Sequence, residues 1–205
     1  MADLRFQERV TYGKSTSVDI YFAASHCVSS SVAAQFVYFL PKPQLQALAH
    51  TAGGVAGLTV ADFSLEFPDF ATQWLGVSSG GIRTWRFQGG PLLLKSLVKI
   101  YVDDRARGRS EILDVIMEHE FLHVADEIEV LRDDVPAQLR ADSIVRRYLI
   151  DKTPVDDAMF QNWFKTSKFQ EYVQPIWAEE HNRRGRRRDS GMEYARYINS
   201  ISTRM

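Results

Sequence analysis

Alternating apolar and polar positions in the first half of the chain predict β-strands. Val18, Ile20 and Phe22 alternate with more polar neighbours, which is the period of a half-buried strand. The same pattern predicts strands over residues 58–67 and 97–102. In the second of these, alternate apolar side chains are expected to share one buried face.

Glycines and prolines mark the turns between these segments. Residues 74–77 and 82–87 flank the sequence S-S-G-G and predict a hairpin, because glycine supplies the positive φ of a tight turn. Residues 32–40 form an apolar run that is compatible with a helix or with a buried strand. Residues 43–51 begin at a proline and end shortly before two glycines, which predicts a helix.

Helical spacing dominates the second half. Within residues 110–131, Ile112, Ile116, His119 and His123 fall at positions i, i+4, i+7 and i+11. We therefore expect an amphipathic helix whose apolar stripe runs into the two histidines. Further helices are predicted at residues 137–150, 154–164, 168–181 and 192–200.

Two features are expected to interrupt this helical half. Pro175 lacks a backbone N–H and should kink or break the helix at residues 168–181. The run R-R-G-R-R-R at residues 183–188 is expected to be a basic loop, either a solvated turn or a surface that meets an anionic partner. Strands in residues 1–105 followed by helices in residues 106–205 predict an α+β fold in a single domain.

Composition restricts the possible classes of function. The chain has 205 residues, of which 45% are hydrophobic and 12% aromatic, enough for a substantial core. A net charge of −1 gives no overall attraction to nucleic acid or anionic membranes, and no apolar run is long enough to span a bilayer. The single Cys27 excludes an internal disulfide and a cysteine-based metal site. We see no signal peptide and expect synthesis in the cytoplasm, with leaderless export open.

The helix at residues 110–131 carries the motif H-E-F-L-H. His119 and His123 are four residues apart and hence on one helix face, where two imidazoles can bind the same ion. Two neutral imidazoles suit zinc (Zn2+), with a third ligand from elsewhere and water in the open position. Glu120 is then the candidate general base for this water. The alternative is a pair of partly buried histidines bonded to backbone or carboxylate groups.

The third ligand is expected from outside the motif helix. Asp126 and Glu127 lie roughly 10–12 Å beyond His119 along the helix axis, too far for a shared ion. Asp126 is instead expected to orient an imidazole or to be a solvated carboxylate. Glu193 is a candidate ligand, although Ser190 and Glu193 also match the S-x-x-E of a capping box. The other candidates that stay open are Asp142 and the cluster of Glu179, Glu180 and His181.

Residues 97–131, a strand followed by a helix with H-E-F-L-H, resemble the core of the zincin metallopeptidases. This resemblance implies that the two motif histidines bind zinc, that Glu120 polarises the water, and that residues 97–102 are an edge strand that aligns an extended peptide. The pattern H-E-F-x-H-x-x-D also resembles gluzincin-type toxins and the pro-pro endopeptidases. Their third ligand is a glutamate at the start of a late helix, which Glu193-Tyr194-Ala195 matches. Those relatives carry a tyrosine where this chain has Arg186.

The resemblance implies a zinc-dependent hydrolase of peptide or amide bonds, acting on a protein or a cell-wall peptide. A small leaderless zincin with a basic tail is similar to a delivered bacterial effector or toxin, with a secretion system or other protein as its partner. A Tyr or Arg is expected to stabilise the oxyanion, and Tyr194 and Tyr197 are candidates. The alternative is a non-catalytic binding or structural module of a phage or secretion assembly, whose metal site only stabilises the fold.

Overall fold

The fold is mixed α+β, with strands concentrated in the first half of the chain and helices in the second, as the sequence predicts. The computed structural model describes residues 4–12, 18–20, 37–66, 71–77, 80–164 and 168–203. None of the helices in these ranges combines the length and apolarity needed to cross a bilayer.

A single long strand organises the sheet. The described strands are β1 (Leu4–Tyr12), β2 (Val18–Ile20), β3 (Val37–Leu40), β4 (Gly57–Glu66), β5 (Ala71–Val77), β6 (Arg83–Asp103) and β7 (Val155–Asp156). β6 pairs with β1, β3, β4, β5 and β7, and β2 pairs with β1. The predicted strands at residues 82–87 and 97–102 are thus parts of one strand of 21 residues. The predicted hairpin is confirmed, because β5 pairs antiparallel with the start of β6.

The other predictions for the first half are met where the structure describes them. β4 matches the strand predicted at residues 58–67 to within one residue at each end. Residues 18–20 form β2, whereas Phe22 lies outside the described residues. For the ambiguous run at residues 32–40, the described part is β3, so that part is a strand and not a helix.

The described residues contain seven α-helices. They are α1 (Lys42–Leu48), α2 (Ser110–Glu129), α3 (Val135–Ala141), α4 (Ser143–Val145), α5 (Asp157–Phe164), α6 (Lys168–Arg188) and α7 (Met192–Ser202). A 3₁₀ turn (Asp104–Ala106) precedes α2, and π-helical turns follow α2 (Val130–Asp134) and α4 (Arg146–Ile150). The predicted motif helix is therefore confirmed as α2, and the helix predicted at residues 137–150 is divided between α3 and α4.

Helix α6 narrows one prediction and corrects another. Pro175 lies inside this helix without ending it, because a proline removes only one i→i−4 hydrogen bond. A break at Pro175 is therefore excluded, and a kink there stays a prediction. The basic run at residues 183–188 is the last part of the same helix and not a loop. Arginines in a last helical turn are stabilised by the partial negative charge of the helix C-terminus, which favours this extension.

The chain divides into two compact units. One, here called the motif unit, consists of Val10–Asp62, Ser96–Ile128 and His181–Met205; the other consists of Met1–Arg9, Phe63–Lys95 and Glu129–Glu180. β4, β6 and α6 each contribute residues to both units. The prediction that the whole chain forms one domain stays a prediction.

In the motif unit, other segments of the chain form hydrogen bonds with the end of β6, so this part of the strand does not lie at the edge of the sheet. β3 pairs with it in parallel, with Val37 opposite Ile100, and the N–H of Asp103 donates to the carbonyl of Ala56, just before β4. In the sheet, β6 lies between β1 and β3. The prediction of an edge strand at residues 97–102 is therefore wrong. The predicted buried face is confirmed, since the side chains at positions 98, 100 and 102 are fully buried.

Candidate metal centre

Two histidines of α2 contact each other across one helical turn. The Nε2 atoms of His119 and His123 are 3.2 Å apart, and the two rings are nearly perpendicular. Both side chains are mostly buried, with exposed fractions of 10% and 16%. The prediction that both imidazoles lie on one face of the helix is confirmed, and one ion can contact both nitrogen atoms.

A carboxylate from a distant part of the sequence completes this group. Asp189 directly follows α6, and its Oδ1 lies 3.2 Å from Nε2 of His119 and 3.0 Å from Nε2 of His123. Within the described ranges, these three side chains form the group that could hold a metal ion. Sequence reasoning misses Asp189, because it belongs to no motif and follows a run that is typical of a surface loop.

The three atoms are spaced almost as a bound metal ion requires. Tetrahedral ligands with bonds of about 2.0–2.1 Å to zinc lie about 3.3–3.4 Å from one another. The longest observed separation is 3.2 Å. The three ligand atoms therefore need to move apart by only about a few tenths of an ångström to bind zinc. Three protein ligands leave a fourth tetrahedral position for water or substrate, which is typical of catalytic zinc sites.

An ion pair positions the segment that carries Asp189. Arg188 donates from Nε to Oδ2 of Asp126 over 2.9 Å and from Nη2 to Oδ1 over 2.7 Å. Asp126 is buried on α2, three residues beyond His123. Asp126 therefore binds Arg188 in place of the expected hydrogen bond to an imidazole. This ion pair fixes the end of α6 beside the histidines.

The chain turns sharply after Asp189 and enters α7. Gly191 has φ +113°, a conformation that favours glycine over residues with a side chain. The hydroxyl of Ser190 donates to the carbonyl of Arg187, and no side chain caps α7, so Ser190 does not act as the predicted cap. Glu193 is the second residue of α7, and its side chain lies outside the described residues. Its role as a ligand stays a prediction.

Glu120 lies in the buried stripe of α2, which differs from the stripe predicted from the sequence. Ile112, Ile116, Glu120 and Val124 follow one another at four-residue spacing and are all buried, whereas the two histidines are only partly buried. Thr59 of β4 donates its hydroxyl to Oε2 of Glu120 over 2.7 Å. The helix also approaches the start of β4 closely at this position.

Gly57 is the point of closest approach between β4 and α2. A Cβ atom at this position would lie 2.7 Å from Cγ2 of Ile116 and 2.9 Å from Cδ of Glu120, closer than real Cβ contacts. Glycine is therefore required here for packing. The Thr59 hydrogen bond and this close contact hold the carboxylate of Glu120 in one position.

The charges of the site shift the pKa values of its groups. Burial raises the pKa of Glu120, in opposition to the nearby histidines and the Thr59 hydrogen bond. Burial alone would lower the pKa of His123, but the hydrogen bond that its ring donates to Asp189 and the charge of Glu120 raise it overall. For Asp189, burial is outweighed by the hydrogen bonds to the two histidines, which hold the pKa of this carboxyl well below its usual range. The cluster thus favours an ionised Asp189, the form that binds metals.

Two tyrosines of α7 surround His119. The ring of Tyr197 stacks on the imidazole at 4.2 Å between centroids, and that of Tyr194 lies at 5.5 Å. Burial raises the pKa of Tyr197, which keeps its hydroxyl protonated. In the described part of the chain, this buried hydroxyl has no hydrogen-bond partner. Such a group is costly unless a ligand supplies the missing partner.

The candidate ligands and the tyrosines line one cavity of about 580 Å³. One wall is residues 54–59, which include the start of β4, and the opposite wall includes Asn182, Gly185 and Arg186 of α6. Glu120 and the three candidate ligands contribute to the same lining. The volume is within the range of roughly 300–1,000 Å³ that is usual for sites of small ligands.

The remaining sequence candidates have other contacts. Asp142 caps α4 by accepting from the N–H groups of residues 144 and 145, and it also accepts from the hydroxyl of Tyr172. Glu180 accepts from Gln138, and Glu179 is exposed. His181 lines the cavity, with Nδ1 2.7 Å from Oε2 of the buried Glu127. None of these four is in the group of side chains that converges with His119 within the described ranges.

No protein-family model, curated protein or solved structure matches this chain. The site itself is a group of two histidines and one aspartate beside a buried glutamate, and these residues line one cavity.

Proposed function

We propose that this protein is a zinc-dependent hydrolase of peptide or amide bonds, built on a zincin-like arrangement. The observation that carries the proposal is the convergence of the Nε2 atoms of His119 and His123 with Oδ1 of Asp189, at separations of 3.0 to 3.2 Å. A structural site could have the same three ligands. The presence of Glu120 in the same cavity lining favours catalysis over a purely structural role.

Zinc, when bound, supplies Lewis acidity that makes water a nucleophile near neutral pH. His119, His123 and Asp189 would hold the ion. Glu120 would accept the proton of the attacking water and pass it to the leaving amine. Burial raises the pKa of Glu120 above its usual value, which makes its carboxylate a stronger base.

Two further features support the assignment of a hydrolytic site. The hydroxyl of Tyr197 is buried beside His119 and has no described partner, so it is available to donate to the oxyanion that develops in the transition state. The start of β4 lines the cavity, and among the described strands β4 pairs only with β6. We infer that β4, in place of residues 97–102, aligns an extended peptide.

The ligand set alone does not select zinc, because two histidines and one carboxylate also bind ferrous iron in oxygenases. The base favours hydrolysis, since oxygen activation needs no buried glutamate next to the metal. Metal analysis of the purified protein tests this point. We expect one zinc per chain, and iron in place of zinc would contradict the proposal.

Cleavage of a proteome-derived peptide library tests the activity. The zinc-loaded protein should produce new peptide termini, detected by mass spectrometry, and a chelator should abolish them until zinc is restored. A protein that binds zinc tightly but yields no new termini from peptides or cell-wall peptides would instead support the non-catalytic alternative, with a metal site that only stabilises the fold.

A further inference from the structure

Arg186 contributes a cation to the wall of the cavity. Among the residues that line the cavity, it is the one with a guanidinium or ammonium group. Its side chain is exposed, and in the described part of the chain it has no hydrogen-bond or ion-pair partner. Arg188, two residues later, is bound by Asp126. Arg186 and Arg188 therefore differ, because Arg188 binds Asp126 whereas Arg186 lines the cavity.

Helical geometry places Arg186 on the same side as the candidate metal ligand. Asn182, Arg186 and Asp189 fall at positions i, i+4 and i+7, and all three line the cavity. Gly185, next to Arg186, also lines the cavity, and a Cβ there would meet no atom within 4 Å. The space beside Arg186 is thus open to a substrate.

When a divalent ion is bound, no carboxylate of the cavity lining is left to balance the positive charge of Arg186. The carboxylates of Glu120 and Asp189 together balance the charge of such an ion. The guanidinium of Arg186 then gives the cavity a surplus positive charge. A guanidinium binds a carboxylate through two parallel hydrogen bonds, so a carboxylate is the substrate group that best fits this position.

We propose that Arg186 binds a carboxylate of the substrate, so that the preferred substrates are peptides with an acidic group close to the cleaved amide bond. This inference rests on the proposed hydrolase function and names its substrate class. The carboxylate has two possible sources, the free C-terminus of a short peptide or the side chain of an aspartate or glutamate.

Binding of three succinyl hydroxamates, measured by calorimetry on the zinc-loaded protein, tests this role without turnover. The hydroxamate group chelates zinc in each compound. The first compound ends in alanine with a free carboxylate, the second in alaninamide, and the third in glutamic acid α-amide. We expect the first or the third to bind about tenfold more tightly than the neutral alaninamide compound. A preference for the first assigns the C-terminus as the source, and a preference for the third assigns an acidic side chain.

Arg186→Gln should reduce this preference to within about twofold, whereas the matched control Arg187→Gln, an exposed neighbour, should retain it. Equal binding of all three compounds to the wild-type protein would overturn the inference, and so would a preference that survives Arg186→Gln. An equal loss of affinity for all three in Arg186→Gln would also overturn it, because Arg186 would then act on the zinc-binding group. If the neutral compound fails to bind the wild-type protein, the metal centre and the proposed function fail, and this inference fails with them.

Discussion

Arg188 and Asp126 form a partly buried, bidentate ion pair that connects the end of α6 to α2. The next residue, Asp189, contacts both motif histidines. Since a bidentate guanidinium–carboxylate pair has a defined geometry, it fixes the direction from which Asp189 reaches the site. Asp126, the last residue of the pattern H-E-x-x-H-x-x-D, thus supports the candidate metal centre indirectly, through the segment that carries the proposed third ligand.

Loss of this ion pair should weaken metal binding without removal of a ligand. Arg188→Gln is expected to lower the affinity for zinc about 10- to 100-fold, the range found when groups that support metal ligands are changed. Competition with a chromophoric chelator measures the affinity. The control is Arg187→Gln, whose side chain is exposed. Equal affinities for the two variants would show that Asp189 does not depend on the pair.

A comparison of Asp189 and Glu193 decides which carboxylate is the third ligand. Asp189→Asn should lower zinc affinity by at least about hundredfold, because a neutral amide is a poor zinc ligand. Glu193→Gln should change it by no more than a few-fold. The reverse order, measured by the same competition, would show that the glutamate implied by the gluzincin resemblance is the ligand.

A methyl group at position 57 should displace Glu120, the proposed general base. Gly57→Ala places a Cβ against Ile116 and Glu120, so we expect a loss of about 1–3 kcal/mol in the free energy of unfolding and a clear fall in activity. Gly54→Ala is the matched control for stability, since a Cβ there meets no atom within 4 Å. Chemical denaturation and peptide cleavage measure the two effects. If Gly57→Ala behaves like Gly54→Ala, the close packing of β4 on α2 is wrong.

The hydroxyl of Tyr197 should matter for catalysis and not for stability. Tyr197→Phe removes a buried donor that has no described partner, so stability should be unchanged or slightly higher. The kcat should fall about 10²-fold with little change in KM, as for loss of one oxyanion donor. Tyr101→Phe, on β6, serves as the control. A large loss of stability with normal kcat would assign Tyr197 a structural role instead.

The parts of the molecule that the sequence predicts are those set by local patterns. Alternation at positions 98, 100 and 102 predicts a buried face, and the four-residue spacing of His119 and His123 predicts their contact. Both depend only on the periodicity of a strand or a helix.

The parts that the sequence does not predict depend on long-range packing. Asp189 reaches the histidines only because α6 continues through Pro175 and because Arg188 binds Asp126, which lies 62 positions earlier in the chain. The interior position of β6 likewise depends on pairing with β3, which comes from a separate part of the chain. No local pattern encodes these contacts, and the standard rule for proline favours a break.

Replacement of Glu120 by glutamine tests the central claim most directly. The amide has nearly the same shape but cannot accept the proton of the attacking water, so Glu120→Gln should retain one zinc per chain while peptide cleavage falls by about 10³-fold or more. Glu118→Gln, an exposed position on the same helix, should retain full activity. A Glu120→Gln protein that binds zinc and cleaves peptides at the wild-type rate would contradict the proposed mechanism.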